Sequence, residues 1–517
     1  MQLKKATDLQ PNEASAHNNL GLSYFENEDW DSALASYGQA ITKETAEVRE
    51  NHGSEENLSF YYKNRGLAYY HQGEMVEAKR DYDDAIRLNP HNADNYFNRG
   101  NVFLNQSQFE EAHADFDRAI DLENANAKLY HAKGLAFQAQ AEALARSQEF
   151  AFEEEENRIA QAIAYFGQAL HFSPEFISPM FHQGLMFRRT NRFHEALRQF
   201  SKVEELLSGD KTVYIQRGLV YQDMGNHSFA IRDFQEAIGI DRQYSLSHFH
   251  LGVSKLKSRQ IREAIIDFTE AERLAHEQQE ENPAIYDGLA CCYQALKDYP
   301  LAIENFDTAI KKEPSNVDFL RNRAQCHFNM NQFEESIADL ATALEYNPTD
   351  PQVLYKQGLT YYAFKKYKKC IATLKAALKN KPYMTYEADI FYHLGLAYCR
   401  LQKFEKSIFP FSRCVERVPS DLRFTHERAK AYQMIEYHEK AVEDFDVVIK
   451  KNPKNAHAYF RRAFSLKALK RWPEAADDFE RAKELDPMNP KLVVNYKKLK
   501  GIVCIVLCEP GEEKIFT

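Results

Sequence analysis

The 517-residue sequence has few turn-forming residues, with 19 Gly and 17 Pro. So few turns favour helices and argue against a β-sandwich or β-barrel, which needs a turn after every short strand. No apolar run approaches the ~20 residues of a membrane-spanning helix, and the N-terminal MQLKKATDLQPNE lacks the apolar core of a signal peptide. We therefore predict a helical, soluble protein with no membrane span.

Positive charge is not in excess either, since the net charge is −10 and the pI is near 6.0. A nucleic-acid-binding protein usually carries a basic footprint, so we predict no nucleic-acid partner. The most basic stretch is KKYKKCIATLKAALKNK at 365–381. Its pattern is typical of a solvated helix face, although it could also attract an acidic partner.

Motifs for catalysis and metal binding are missing. The eight cysteines lie between 291 and 508 without a CxxC pair, which fits reduced thiols in the cytoplasm better than disulfides or a zinc site. The sequence contains no P-loop, GxSxG, HExxH, EF-hand loop or strand-linked GxGxxG. We predict a non-catalytic protein with no metal and no cofactor.

A histidine two residues before a glycine recurs in FHQG, FHLG and YHLG, giving His182, His250 and His393. His182 and His250 are 68 residues apart, which is twice 34. A period of 34 indicates a repeat array, in which these side chains lie many ångströms apart. They therefore cannot share one metal ion.

Thirteen repeats follow a 34-residue frame across residues 14–489. They start at Ala14, Ser59, Ala93, Ala127, Ile177, Lys211, Ser245, Pro283, Val317, Pro351, Ala388, Leu422 and Ala456. Position 8 is Gly or Ala in every repeat, position 20 is small, position 24 is large, and Pro is frequent at position 32. Small residues let two antiparallel helices approach closely, the large residue fills the space beside them, and proline ends the pair.

This pattern resembles the tetratricopeptide repeat (TPR) family, whose members are arrays of helix pairs. The resemblance implies an all-α, right-handed TPR solenoid in which each repeat buries one face against its neighbour. Eleven extra residues before Ser59, around EVRENHGSEEN, indicate a polar loop, and sixteen extra residues in the fourth repeat suggest longer helices.

The two ends depart from the repeat. Residues 1–13 match the second helix of an incomplete repeat, which indicates that the sequence begins within a longer array. Residues 490–501 are predicted to form a capping helix that ends at Gly501. Residues 502–517 begin with the apolar run IVCIVLC, which suits a buried strand, so it should fold back, dock on the last helices or join a partner's sheet. A disordered tail is the alternative.

Every repeat with arginine at position 7 has aspartate at position 23, and of the other seven repeats only one has aspartate there, Asp267, opposite Leu251. We predict six Arg–Asp pairs that link the two helices of a repeat and are structural rather than ligand-binding. They are Arg65–Asp81, Arg99–Asp115, Arg217–Asp233, Arg323–Asp339, Arg428–Asp444 and Arg462–Asp478.

In TPR proteins, positions 2, 5, 6, 9 and 12–13 of the first helix line a concave groove. The resemblance therefore places nine candidate peptide-binding residues there: Asn19, Asn64, Asn98, Asn322, Lys63, Lys128, His182, His250 and His393. An asparagine amide donates and accepts hydrogen bonds, so consecutive asparagines can hold an extended peptide backbone. The alternative interpretation, that asparagine is simply a tolerated polar residue, stays open.

The five-residue carboxylate clamp of chaperone-binding TPR domains is matched in part. Lys63, Asn98 and Lys128 fit it, but Leu67 and Ala132 occupy the other two positions, so we do not expect chaperone-tail binding. The predicted function is a cytoplasmic scaffold or adaptor for protein partners, with ciliary and intracellular-transport components or the cytoskeleton as analogies from the fold. The rival functions are the substrate-recognition part of a glycosyltransferase-like enzyme and a co-chaperone.

Overall fold

A computed structural model describes residues 13–146, 152–380 and 386–487. Its described residues contain 26 α-helices and no strand. They divide into two compact segments, an N-terminal segment that ends at Leu274 and a C-terminal segment that begins at Ala275. The predicted all-α fold is confirmed. The first twelve residues of the half-repeat, the capping helix and the apolar tail lie outside the described residues.

Odd-numbered helices are the first helices of the repeats and even-numbered helices are the second. The N-terminal segment contains α1 Ala14–Glu26, α2 Trp30–Arg49, α3 Glu55–Gln72, α4 Met75–Leu88, α5 Ala93–Asn105, α6 Phe109–Leu122, α7 Ala127–Arg146, α8 Phe152–Phe172, α9 Ile177–Arg189, α10 Phe193–Leu206, α11 Lys211–Asp223, α12 His227–Ile240, α13 Ser245–Lys257 and most of α14 Ile261–Glu277.

The C-terminal segment contains the other twelve helices. They are α15 Pro283–Ala295, α16 Tyr299–Lys312, α17 Val317–Asn329, α18 Phe333–Tyr346, α19 Pro351–Ala363, α20 Tyr367–Lys379, α21 Glu387–Arg400, α22 Phe404–Arg417, α23 Leu422–Met434, α24 His438–Lys451, α25 Ala456–Ala468 and α26 Trp472–Leu485. From α1 to α13 and from α15 to α26, each helix packs against the neighbouring helices in sequence.

The starts of the first helices are set by local chemistry. Asp210, Asn316, Asp350 and Asp421 accept a hydrogen bond from a backbone N–H in the first turn of the helix that follows each of them. This bond satisfies a donor that has no partner within the helix. Pro351 occupies the first turn of α19, where its missing N–H costs nothing.

The core lies between the two helices of each repeat and is built on position 24. The rings of Tyr37, Tyr82, Phe116, Phe166, Phe200, Phe234, Phe268, Phe306, Phe411, Phe445 and Phe479 are all fully buried. Each burial removes a large apolar surface from water, which contributes roughly 1.5–3 kcal/mol. Because the same ring recurs in nearly every repeat, the core is a row of similar clusters.

The predicted polar loop before Ser59 is mostly helical, which corrects that interpretation. Helix α2 continues to Arg49 and α3 begins at Glu55, so the connection is only residues 50–54. The buried Glu44 accepts a hydrogen bond from the Ser54 N–H at 2.8 Å and thereby stabilises the connection. In the fourth repeat, α7 and α8 reach 20 and 21 residues, so the additional residues there also extend helices.

Candidate functional site

The first helices of consecutive repeats contact one another. This holds along the whole N-terminal segment, from α1 to α13, and for α15 with α17, α19 with α21 and α23 with α25 in the C-terminal segment. Side chains at equivalent positions of these helices therefore form one surface in each segment, which we call the A-helix face. The nine candidate groove residues all lie on first helices.

Two of the four candidate asparagines join neighbouring repeats. Asn64 is buried and its Nδ2 donates to Oδ1 of Asn18 at 2.9 Å, which links α3 to α1. The Asn322 Nδ2 donates to Oδ1 of Asp287 at 3.3 Å, which links α17 to α15. Asn19 is exposed and Asn98 is half-buried on the same kind of face. The Asn64–Asn18 pair therefore stabilises the packing of α3 against α1. The side chains of Asn19 and Asn98 are the ones accessible to a ligand.

The lysines of the partial clamp have different surroundings. The Lys63 Nζ lies 3.1 Å from Oδ2 of Asp94, at position 2 of the next repeat. Lys128 is exposed on α7. The Asp94 carboxylate thus already pairs with Lys63. The carboxylate of a free peptide terminus would have to displace Asp94 in order to bind Lys63.

His182 belongs to a cluster between repeats 4 and 5. Its Nδ1 lies 3.1 Å from Oε1 of Gln138, and its ring stacks on Phe166. The His131 ring is 5.7 Å away, and its Nε2 lies 3.0 Å from the Ser178 hydroxyl. Burial lowers the pKa of His182, and it lowers that of His131 to about 4. Both rings are therefore neutral at pH 7.

His250 and His393 are isolated from this cluster and from each other. The His250 ring stacks on Phe234 with 5.6 Å between centroids, and burial lowers its pKa to about 4. The His393 Nδ1 lies 2.8 Å from the Asp389 carbonyl oxygen, and burial lowers its pKa too. The structure brings none of the three candidate histidines together, so each acts as a packed aromatic side chain on its own helix.

The six arginines at position 7 contact the aspartates at position 23 of their own repeats. The shortest N–O distances are 2.7 Å for Arg65–Asp81, 2.7 Å for Arg99–Asp115, 2.7 Å for Arg217–Asp233, 2.6 Å for Arg323–Asp339, 2.7 Å for Arg428–Asp444 and 2.6 Å for Arg462–Asp478. Each arginine uses both Nε and Nη2, so the contacts are bidentate.

These pairs are more buried than ordinary surface salt bridges. The side chain of Arg217 is 8% exposed and that of Asp233 is 0% exposed. An exposed ion pair contributes about 0.2–1 kcal/mol to the free energy of unfolding. Removing one partner of a buried pair instead costs roughly 3–5 kcal/mol, because an uncompensated charge stays in the interior.

Three of these arginines also contact an aspartate of the preceding repeat, which the sequence interpretation missed. The Nη1 of Arg99 lies 2.7 Å from Asp83, and that of Arg323 lies 2.6 Å from Asp307. Arg462 reaches Asp446 in the same way, and Lys133 reaches Asp117. All four aspartates occupy position 25, and the next repeat has a cation at position 7 each time. This co-occurrence is the sequence signal from which the contact between repeats could have been predicted.

A second missed contact involves glutamine at position 12. The Gln222 Nε2 donates to the His250 carbonyl at 2.8 Å and to the Ser254 hydroxyl at 2.6 Å. Gln433 makes the same two contacts with Arg461 and Ser465, at 2.9 and 3.0 Å. Successive first helices are therefore joined by side chains, which makes the A-helix face a preformed surface.

An apolar cleft lies apart from these residues. It has a volume of about 570 Å³ between repeats 5 and 6, and its walls include Ile177, Phe181, Val203, Leu207 and Val213. None of the nine candidate groove residues lines it. In the described part of the chain, no three side chains are grouped as metal ligands, and no helix has the length and apolarity to cross a membrane.

Models of the tetratricopeptide repeat family match this chain in seven places. The matched residues are 2–47, 59–92, 81–114, 212–244, 293–359, 352–382 and 456–489. A comparison with curated proteins found no match. The seven family matches extend over both segments, and they carry the family assignment.

Solved structures of low identity are also similar to the chain. The crystal structure of yeast Tom70 is 16% identical, with 86% of this chain and 98% of Tom70 covered and a TM-score of 0.40. YrrB, described as a TPR protein with an unusual peptide-binding site, is 20% identical, with coverages of 36% and 93% and a TM-score of 0.30. A tetratricopeptide repeat protein from Parabacteroides merdae is 18% identical, with coverages of 56% and 98% and a TM-score of 0.32.

Proposed function

Because the chain belongs to the tetratricopeptide repeat superfamily, we propose that it is a non-catalytic scaffold that holds an extended segment of a partner protein on its A-helix face. One observation carries this proposal. First helices of consecutive repeats lie side by side and are joined by side-chain hydrogen bonds, such as Asn64–Asn18 and Gln222–Ser254. A face that is already ordered costs little entropy when a partner binds.

The chemistry of this face suits a peptide backbone. Asn19 and Asn98 offer amides, which can donate to a backbone carbonyl and accept from a backbone N–H. Asn64 contributes by holding Asn18 in place, and Lys63 stays paired with Asp94. That pairing is why we do not propose binding of a chaperone's C-terminal carboxylate.

The test compares two double variants of the full chain in affinity purification followed by mass spectrometry. Asn19→Ala with Asn98→Ala removes two accessible amides from the A-helix face. Gln168→Ala with Gln235→Ala is the matched control, since it removes two exposed amides from the second helices α8 and α12. At about 0.5–1.5 kcal/mol for each hydrogen bond, we expect the first variant to bind a recovered partner roughly tenfold more weakly.

Equal recovery by the two variants would contradict binding at these asparagines. Recovery of a chaperone through its C-terminal tail would favour the co-chaperone alternative. Recovery of a glycosyltransferase activity with the chain would favour the recognition part of an enzyme. The proposed compartment is the cytoplasm, with the cilium and cytoskeleton as finer locations, and imaging of the tagged full chain tests it.

A further inference from the structure

Two histidines from neighbouring repeats are in direct contact on the A-helix face of the C-terminal segment. The His426 Nε2 on α23 lies 3.0 Å from the His457 Nδ1 on α25. Their rings are stacked, with 5.0 Å between centroids and an angle of 21° between planes. At this distance one nitrogen donates a proton and the other accepts it. The shared position therefore holds one proton, and an added proton must bind at an outer nitrogen, His426 Nδ1 or His457 Nε2.

Two cationic side chains accompany the pair. Lys430 is four residues after His426 on α23, and Arg461 is four residues after His457 on α25, so each lies on the same face as its histidine. Lys430 is shared with Glu427, whose two carboxylate oxygens accept from Nζ at 2.9 Å. Helix α24 faces His426 with the uncharged ring of Phe445. The local balance is thus positive before either ring takes up a proton.

This group has unused hydrogen-bond donors and acceptors. In the described chain, the buried Nε of Arg461 and the buried Nδ1 of His426 have no hydrogen-bond partner. The Arg461 Nη1 donates only weakly to Gln433 Oε1, at 3.3 Å. A buried polar group without a partner costs about 1–3 kcal/mol, and more for a charged group, so a carboxylate that accepts from Arg461 Nε, and from His426 Nδ1 once that nitrogen carries a proton, would be stabilised.

We propose that His426, His457, Lys430 and Arg461, here called the histidine-pair site, bind an acidic segment of a partner protein, and bind it more tightly as the pH falls. The inference rests on the proposed function, because it names the chemistry of one segment held on the A-helix face. A carboxylate placed against Arg461 favours protonation of the neighbouring ring at its outer nitrogen, and the hydrogen bond between the two rings is kept.

In the free protein both histidines have lowered pKa values, so they can take up a proton when a carboxylate binds. Burial, with the nearby charges of His457, Lys430 and Arg461, lowers the pKa of His426 to about 4, while Glu427 opposes this. Burial lowers the pKa of His457 too, followed by the effects of Arg461 and Lys430. Both rings are therefore neutral in the free protein near pH 7. A bound carboxylate raises the pKa of the ring it contacts, so binding takes up a proton.

Calorimetric titration of the full chain with a hexaglutamate peptide tests the inference, with hexaglutamine as the uncharged control. We expect hexaglutamate to bind about tenfold more tightly at about pH 5.5 than at about pH 7.5, and hexaglutamine not to bind. Arg461→Gln should weaken binding roughly tenfold, and His426→Gln with His457→Gln should remove the pH dependence. Arg481→Gln on α26 is the matched control and should change neither result.

Equal affinity of hexaglutamate at the two pH values, or no effect of Arg461→Gln, would overturn the inference. Displacement of hexaglutamate by inorganic phosphate at equal concentration would also overturn the inference, since the site would then recognise only negative charge. Should a variant fail to fold, histidine NMR of the unaltered chain decides, because hexaglutamate must raise the pKa of His426. If hexaglutamate fails while a partner still depends on Asn19 and Asn98, the scaffold proposal stands and this inference falls.

Discussion

At the scale of single residues, the position-8 glycine leaves no room for a side chain beside the position-24 residue. A Cβ added to Gly184 would lie 2.9 Å from the Phe200 ring, and one added to Gly218 would lie 2.8 Å from the Phe234 ring. Both rings are fully buried. In these two repeats the absence of a Cβ therefore serves the close approach of the two helices rather than backbone flexibility.

Gly184→Ala should lower the free energy of unfolding of the N-terminal segment by about 1–3 kcal/mol, because the methyl group overpacks the contact with Phe200. Gly239→Ala is the matched control in α12, since nothing lies within 4 Å of its added Cβ. It should raise the free energy of unfolding by roughly 0.5–1 kcal/mol through helix propensity. Urea unfolding followed by circular dichroism measures both, and equal effects of the two variants would contradict this account.

At the scale of helices, the turn between the two helices of a repeat has a fixed backbone geometry. Position 15 has a positive φ in twelve repeats, and ten of these residues are not glycine. They are Glu28, Ser107, Asn191, Arg259, Lys297, Asn331, Lys365, Gln402, Glu436 and Lys470. Gly73 and Gly225 occupy the other two. A side chain in this conformation costs roughly 1–2 kcal/mol, so most turns of the array are slightly strained.

Arg259→Gly should therefore stabilise the N-terminal segment by about 0.5–1 kcal/mol, because glycine adopts a φ of 64° without a Cβ clash. Gly225→Ala, at the same position of the preceding repeat, should destabilise it by a similar amount. Thermal unfolding of the two variants beside the parent chain gives the comparison. A decrease in stability with Arg259→Gly would show that its side chain outweighs the backbone strain.

At the scale of the whole molecule, stability arises from contacts between neighbours in sequence. Each repeat is joined internally by a buried side chain at position 24, in six repeats together with an Arg–Asp pair, and Arg99, Arg323 and Arg462 also reach the preceding repeat. Such an array is stabilised by each repeat and by each interface between repeats. Substitution of a charged residue in one repeat should thus change mainly the stability of the segment that contains this repeat.

Buried histidines make the array sensitive to acid. Burial lowers the pKa of His131, His250 and His426 to about 4, whereas an unfolded histidine has a pKa near 6.5. Between these values the unfolded chain binds protons that the folded chain does not. The free energy of unfolding should therefore fall as the pH falls from about 6.5 to about 4, by up to 1.4 kcal/mol per pH unit for each histidine.

His250→Gln should make this pH dependence shallower by about one proton in the N-terminal segment. His52→Gln is the control, because His52 is exposed in the 50–54 connection. Urea midpoints measured between about pH 4.5 and about pH 7.5 give the slopes. A slope that His250→Gln leaves unchanged would show that His250 already binds its proton in the folded state.

The fold class followed from the sequence because it depends on patterns that repeat along the chain. Small residues at position 8, large ones at position 24 and capping or proline residues between repeats act locally, and thirteen copies make the pattern readable. The co-occurrence of Arg217 with Asp233, and of its five counterparts, pointed to contacts within one repeat for the same reason. The identity of the side chains was enough to predict these features.

Other features depend on distances that only packing sets. The Asn64–Asn18 bond, the second contact of Arg99 with Asp83, and the His426–His457 pair each join side chains from two repeats. Their geometry depends on how successive helix pairs are stacked, which no single position in the frame specifies. The helices that extend through the insertions around Arg49 and Glu55 depend on tertiary contacts too, because Glu44 stabilises their connection only after folding.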